Sequence, residues 1–534
     1  MTNSSVDLFY RTEDLQLDEV LEYFVETSSD RAIVDRLKSR SPVLLRGSRG
    51  VGKSFLLRVA EAELKRDFDA DKILPVYVTF ARAGLIRQTD DGFIPWMISK
   101  ISTGVKRALV TYGLSLPGDS ALAALMTPAS ISPVGRTVDE VVQTEYEEFW
   151  KNGEPVPSGR LIPDPDVLRD AIDDLCQELG LKRIALLVDE AAHVFIPEQQ
   201  RQFFTLMRDL RSPRLAVKAA VYPGATSYGA SFQPTHDATV LEVERSLTDS
   251  SYAASMREIV MKQDPTLVRS IEQYGEAFDV LSFAATGNPR ILLKTFAAST
   301  PINRARVQES IRTYYREEIW TEHSNLAERY PGHRDLIDWG RNFIEREVLP
   351  VLYARNQGSS ETSSAIWIHR DAPQTVREAL RLLCYSGILL EGVSGIRATR
   401  SEVGTRYIVN IGCNLAQDAE PIQYGSAVRS TLSIKRMQEF GANHPSYKAI
   451  EQLGMEYLQS DSNVALDARL AAGVDDLDLT DFQKSKLHEL NLSTIGEVLA
   501  ASESDFQVLF YVGRVRSRQM RNAAIMAVIE YLSG

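Results

Sequence analysis

The stretch Leu44–Arg58, LLRGSRGVGKSFLLR, constrains the fold more than any other part of the chain. Pro42–Arg46 is a short apolar run of strand type. After Ser54, the apolar residues Leu57, Ala60, Leu64 and Phe68 recur at spacings of three and four, the buried stripe of a helix. Between strand and helix lies Gly47-Ser48-Arg49-Gly50-Val51-Gly52-Lys53-Ser54, which matches G-x-x-x-x-G-K-S. Glycines let the backbone turn with positive φ and bring amide N–H groups close to phosphate oxygens. The helix N-terminus adds partial positive charge at the same place. Lys53 is placed to reach β- and γ-phosphates, and the Ser54 hydroxyl to ligate Mg²⁺. The candidate nucleotide-binding set is therefore Gly47, Ser48, Arg49, Gly50, Val51, Gly52, Lys53, Ser54 and Phe55, with ATP and Mg²⁺ as the expected ligands.

Such a loop needs a second strand that ends in a carboxylate to hold the metal. RIALLVDEAAHVF supplies one: Ile184–Val188 is a continuous apolar run, as expected of a strand buried on both faces, and it ends in Asp189-Glu190. Asp189 would bind Mg²⁺ through water, and Glu190 would polarise an attacking water as general base. The alternative reading is two surface acids after a core strand. The acid pair favours hydrolysis over phosphoryl transfer to a small acceptor.

Here the chain resembles the P-loop ATPases of the AAA+ and STAND type, nearest to the origin-recognition/Cdc6-like branch, over roughly residues 20–300. The resemblance makes Gly47–Ser54 the Walker A segment and Ile184–Glu190 the Walker B segment. It also implies a fold: an α/β parallel sheet core followed by a helical lid. TGNPRILLK, Thr286–Lys294, resembles the sensor 2 region of that branch, where an arginine near the start of a lid helix contacts the γ-phosphate; the matching residue is Arg290. Glu190, Lys53 and Arg290 are thus the candidate catalytic residues. The chain departs from the family after LAVKAAVYPG, Leu215–Gly224. Where a polar sensor 1 residue is usual, it has Tyr222-Pro223-Gly224, so Tyr222 and Thr226 are the candidates. Arg208, Arg211 and Arg214 stand where the family often places an arginine finger that acts on a neighbour's ATP; the alternative is a solvated helix end.

The length of 534 residues implies two to four domains. The core is expected over residues 1–240, with an insertion at about 82–165 rich in Pro, Gly and Ser, and the lid over 241–330. In Asp371–Gly412 a helical stripe (Val376, Leu380, Leu383, Cys384) gives way to two strands, and this resembles the winged-helix module that the same branch carries after its lid, here 331–415. Arg377 and Arg381 are expected on one exposed helix face, with Arg397, Arg400 and Arg406 on the wing. Residues 416–472 read as helices and a linker. The segment 473–534 resembles the C-terminal domain of the bacterial RNA polymerase α subunit, a helix-hairpin-helix fold, through LDLT, LNLSTIGEVL, SESDF and YVGRVRSRQM. Gly513 marks the turn, and Arg514, Arg516, Arg518 and Arg521 cluster after it. The minor-groove arginine of that domain is replaced by Phe482, with Lys484 and Lys486 close by.

A net charge of −12 argues against attraction to nucleic acid over the whole surface, so contact with double-stranded DNA has to come from local basic patches in the C-terminal modules. No run of about eighteen apolar residues is present, so no membrane contact is expected. Cys176, Cys384 and Cys413 are widely spaced and read as reduced thiols of a cytoplasmic protein, and no zinc spacing is present. The function these features imply is an ATP-binding and ATP-hydrolysing switch coupled to DNA-binding modules, in a mobile-element or antiviral defence setting by analogy. The alternative is a STAND-type signalling ATPase whose tail senses a protein partner and whose nucleotide exchange triggers homo-oligomerisation; a third reading is a protein that holds ATP without turnover.

Overall fold

The apolar runs that flank the phosphate loop become parallel strands of one sheet. In the computed structural model, residues 8–80, 93–115, 164–191, 197–223, 226–229, 231–398, 401–433, 435–451 and 464–533 are described. They divide into two compact units, residues 1–269 with 287–294, and residues 270–286 with 295–534.

The sheet of the first unit contains β1 (Val43–Arg46), β2 (Ile73–Thr79), β3 (Arg183–Asp189), β4 (Leu215–Val221) and β5 (Thr239–Glu242), in the order β2-β3-β4-β1-β5. All four pairings are parallel. This is the α/β fold of a P-loop nucleoside triphosphatase, with β4 inserted between the loop-bearing β1 and the acidic β3. Every residue of β3 and β4 is buried, because helices cover both faces. Alternation along β1 shows the two layers: Val43 and Leu45 join a cluster with the helices Ser28–Lys38 and Lys53–Arg66, whereas Leu44 joins the cluster of the opposite face.

Helix Phe93–Thr111 falls within the expected insertion, yet it packs on β2 as part of the sheet's cover. Trp96, Met97, Ile101 and Val105 are buried there. Residues 82–92 and 116–163 of that insertion lie outside the described residues. The residues expected as lid are shared between the units: the helix Pro289–Ala298 starts in the first and ends in the second.

The second unit holds a four-stranded sheet of β6 (Ala365–His369), β7 (Leu389–Arg397), β8 (Val403–Val409) and β9 (Met437–Phe440), ordered β7-β8-β6-β9. The expected helix (Gln374–Tyr385) and the β7–β8 hairpin are present. Two of the strands were not expected. β6 pairs antiparallel with β8, and β9, from the segment read as a linker, pairs parallel with β6.

One expectation is corrected. Arg377 is exposed, but the Arg381 side chain is only 10% exposed and pairs with Glu378 at 2.8 Å. Eight of the twelve residues of this helix are buried, so the face one turn along from Arg377 is already inside the unit. Arg397 is exposed and Arg406 half-buried, while Arg400 lies outside the described residues.

The tail forms the helices Asp481–Glu489, Ile495–Ala500, Glu503–Gln507 and Arg514–Ser533. Thr480 and Thr494 start the first two with reciprocal caps, each side chain accepting from the third helical N–H. Arg518 ties the tail to the rest of its unit by donating to the Asp371 carbonyl and to Asn443 Oδ1, both at 3.3 Å.

Candidate nucleotide site

Because β1, β3 and β4 run parallel, their C-terminal ends open on one edge, which is where ligands of such sheets bind. Gly47 follows β1, Asp189 ends β3 and Tyr222 follows β4. The sequence-expected residues of both Walker segments therefore meet at that edge.

The loop takes the backbone path its glycines allow. Gly50 has φ +87° and Gly52 φ +104°, conformations that L side chains rarely adopt. A Cβ on Gly50 would also stand 2.7 Å from Asn288 Oδ1. Gly52 is the N-terminal cap of the helix Lys53–Arg66, so the first helical amides face the loop's interior. The Lys53 ammonium is buried and donates to the carbonyls of Gly47 at 2.6 Å and Ser48 at 2.9 Å. Burial pulls its pKa down to about 7, against the opposing pull of Asp189.

Asp189 accepts from the Tyr77 hydroxyl at 2.7 Å on Oδ2 and from the Glu190 amide at 2.9 Å on Oδ1. Burial with Asp189 nearby pushes the Tyr77 hydroxyl well above its ordinary value, so it is a neutral donor. Glu190 is half-buried and sits at φ 55°. That is an unusual conformation for a glutamate, of the kind that clusters at functional sites. Burial first, then Asp189 and Glu13, raise its pKa to about 7.

Arg290 is brought to the loop. Its amide donates to the Gly50 carbonyl at 3.4 Å and its Nε to the Tyr10 carbonyl at 3.2 Å. Its charge acts on Lys53. Asn288, which the sequence reading passed over, docks the same segment: Nδ2 donates to the Arg49 carbonyl at 2.7 Å, and Oδ1 accepts from the Ile291 amide at 3.2 Å. An asparagine just before a helix-starting proline is a cap signal, and it was available in the sequence. Arg245 is a second missed residue. It donates to the Val51 carbonyl at 2.9 Å and reaches Asp30 at 3.4 Å. Tyr77 is a third, and a tyrosine in a strand carries no signal beyond strand preference.

The two sensor 1 candidates separate. The Tyr222 ring lies under the Lys53 ammonium at 4.0 Å from its centroid. The Thr226 hydroxyl donates to the Tyr222 carbonyl at 2.8 Å and accepts from the Tyr222 amide at 3.2 Å. The three candidate finger arginines, which in the family act on a neighbour's ATP, lie away from this edge of their own chain. Arg214 precedes β4 at the opposite edge and donates to the Leu181 carbonyl at 3.1 Å. Arg208 pairs with Asp209 at 2.9 Å, and Arg211 with Asp237 at 3.6 Å.

Among the described residues no helix is long and apolar enough to cross a membrane. No curated protein matches the chain. Among solved structures, a Walker-type ATPase of Pyrococcus abyssi aligns at 14% identity over 79% of this chain and 99% of its own, with a TM-score of 0.38. The Orc1 protein of Aeropyrum pernix, solved in complex with DNA, aligns at 14% identity over 74% and 92%, with a TM-score of 0.30. The Orc2 protein of Aeropyrum pernix aligns at 12% identity over 76% and 92%, with a TM-score of 0.32. Scores this low leave the fold to be read from the sheet itself. The model of the ORC-CDC6-like family matches residues 9–83, which hold the phosphate loop, its helix and the strands β1 and β2. Over the segment that builds the phosphate cradle, the chain is similar to the ORC-CDC6-like family.

Proposed function

We propose that the chain is an ATP-binding and ATP-hydrolysing switch whose nucleotide state is passed to DNA-binding modules in its second unit. The observation that carries this reading is the meeting of Lys53, Asp189 and Glu190 at one strand edge, with Arg290 held against the same loop by its backbone.

The residues fit a nucleotide with magnesium. Two positive-φ glycines open a backbone cradle, a buried ammonium faces it, and an acid pair closes β3. Loop amides and Lys53 would hold the phosphates, while Ser54 and Asp189 would hold Mg²⁺, Asp189 through water. Magnesium supplies charge neutralisation between the phosphates when bound. Glu190, with a pKa near neutrality, is suited to accept a proton from water at working pH. Arg290 would sense the γ-phosphate. Its amide tie to Gly50 links the loop to a helix that runs on into the second unit, a physical route for two lid positions of different energy.

Contact with double-stranded DNA is assigned to Arg377, Arg397, Arg514 and Arg516, all exposed. The cytoplasm is the proposed setting.

A second reading, a STAND-type signalling ATPase with a protein partner, is favoured by two observations. The burial of Arg381 beside Glu378 halves the basic face expected of the helix Gln374–Tyr385. Phe510 and Tyr511 of the tail are 76% and 68% exposed. The deciding experiment is ATPase rate with and without duplex DNA, in the wild type and Glu190→Gln. DNA stimulation that vanishes in the variant supports the DNA-coupled switch. Turnover indifferent to DNA, with no DNA shift at low salt, overturns it in favour of the signalling reading.

A further inference from the structure

Behind the phosphate loop, on the side of edge strand β2, the helices Lys53–Arg66 and Phe93–Thr111 flank a cleft of about 390 Å³. Among the described residues four cations line it, Arg58 and Lys65 from the first helix and Lys100 and Arg107 from the second, with one carboxylate, Glu61. That carboxylate is already engaged by Arg58 at 2.7 Å. Lys65 and Arg107 are exposed and make no ion pair among the described residues. Like charges gathered in a concave, partly apolar wall raise the local potential and draw in an anion. The cleft is also wired to the nucleotide edge. The Arg58 guanidinium lies over the Tyr77 ring at 3.7 Å, and the Tyr77 hydroxyl donates to Asp189 at 2.7 Å.

We propose that this cleft binds a small phosphorylated anion and that its occupancy is transmitted through Arg58 and Tyr77 to Asp189. The inference rests on the ATP-binding reading only for the role of Asp189; the cleft itself is independent of the phosphate loop. An anion seated on Arg58 competes with Glu61 for the guanidinium and weakens its hold on the Tyr77 ring. The phenol then resettles, and with it the hydrogen bond that orients Asp189. Arg58 and Tyr77 are positioning residues in this scheme, since neither reaches the reacting atoms.

The test uses the full chain carrying Lys53→Ala, which cripples the phosphate loop, and inorganic pyrophosphate as the probe. Calorimetry is expected to show one remaining site, weakened about tenfold or more when Arg107→Glu or Lys65→Glu is added. Both positions are exposed, so unchanged melting temperatures verify folding. 3-Fluorotyrosine placed at position 77 is expected to shift its ¹⁹F resonance on titration of the Lys53→Ala protein, and not after Arg107→Glu. Residual binding that ignores Arg107 and Lys65 overturns the site. Binding without a ¹⁹F shift overturns the transmission. A parallel titration with duplex DNA separates the two sources of phosphate: if Arg107→Glu weakens only DNA, a small-anion site is overturned. Failure of ATP to bind the wild type would overturn the nucleotide reading alone.

Discussion

The Tyr77 hydroxyl donates to Oδ2 of Asp189 at 2.7 Å, joining edge strand β2 to the last residue of β3. With the Glu190 amide on Oδ1, this bond fixes the orientation of the Asp189 carboxylate. Tyr77→Phe is expected to weaken magnesium-dependent nucleotide affinity by about tenfold. Affinity measured in EDTA should stay unchanged. Equal weakening under both conditions would place Tyr77 outside metal positioning.

Burial raises the Glu190 pKa to about 7, so the base form dominates above that pH. Turnover is expected to fall by about tenfold per pH unit below pKa and to level off above it. Glu190→Gln should lower turnover by at least about a hundredfold with nucleotide binding retained. A pH–rate profile flat from weakly acidic to neutral pH would remove the residue from this role.

Lys53 is expected to take up a proton when nucleotide binds. Burial lowers its pKa to about 7, so above that pH the free protein holds it largely neutral, whereas a polyanion beside it favours the ammonium. Calorimetry at pH 8 in buffers of different ionisation enthalpy should report uptake of up to about one proton. Below the pKa the uptake from this group should vanish. Lys53→Met should remove the contribution at pH 8.

How much of this was legible follows from where the information sits. The phosphate loop and β3 are contiguous motifs whose residue types are dictated by local backbone and burial, so the sequence places them well. Tyr77, Asn288 and Arg245 act across long sequence separations, and nothing in a strand tyrosine or a loop arginine marks its partner. Arg381 failed for a related reason. A four-residue spacing fixes a shared face, but which face is buried depends on the helix Arg334–Asn342 packed against it. β9 is four residues long and amphipathic, below the length at which periodicity separates strand from loop.

Gly50→Ala is expected to loosen the loop from the segment that carries Arg290. The residue would carry φ +87° and a Cβ 2.7 Å from Asn288 Oδ1. A loss of about 1–3 kcal/mol in nucleotide affinity is expected. Asn288→Ala should show a smaller loss in the same direction, and the double variant should be less than additive.

On the DNA side, Arg377→Glu is expected to lower duplex affinity by about tenfold and to reduce the salt slope by about one or two. Arg381→Ala should leave the salt slope alone and lower the melting temperature, because it strips the partner from the nearly buried Glu378. The reverse pattern would place the phosphate contact on the wrong arginine.

The division of the chain between its units has a consequence for inheritance and dissection alike. Residues 287–294 belong with the phosphate loop, yet residues 270–286 of the other unit precede them in the polypeptide. A fragment that stops between residues 243 and 286 keeps the whole parallel sheet and both Walker segments but loses Asn288 and Arg290 from the loop. The cradle therefore cannot be excised, recombined or transplanted as one uninterrupted N-terminal piece. Any contiguous piece that includes the phosphate loop and residues 287–294 also carries the helix Gly275–Ala284.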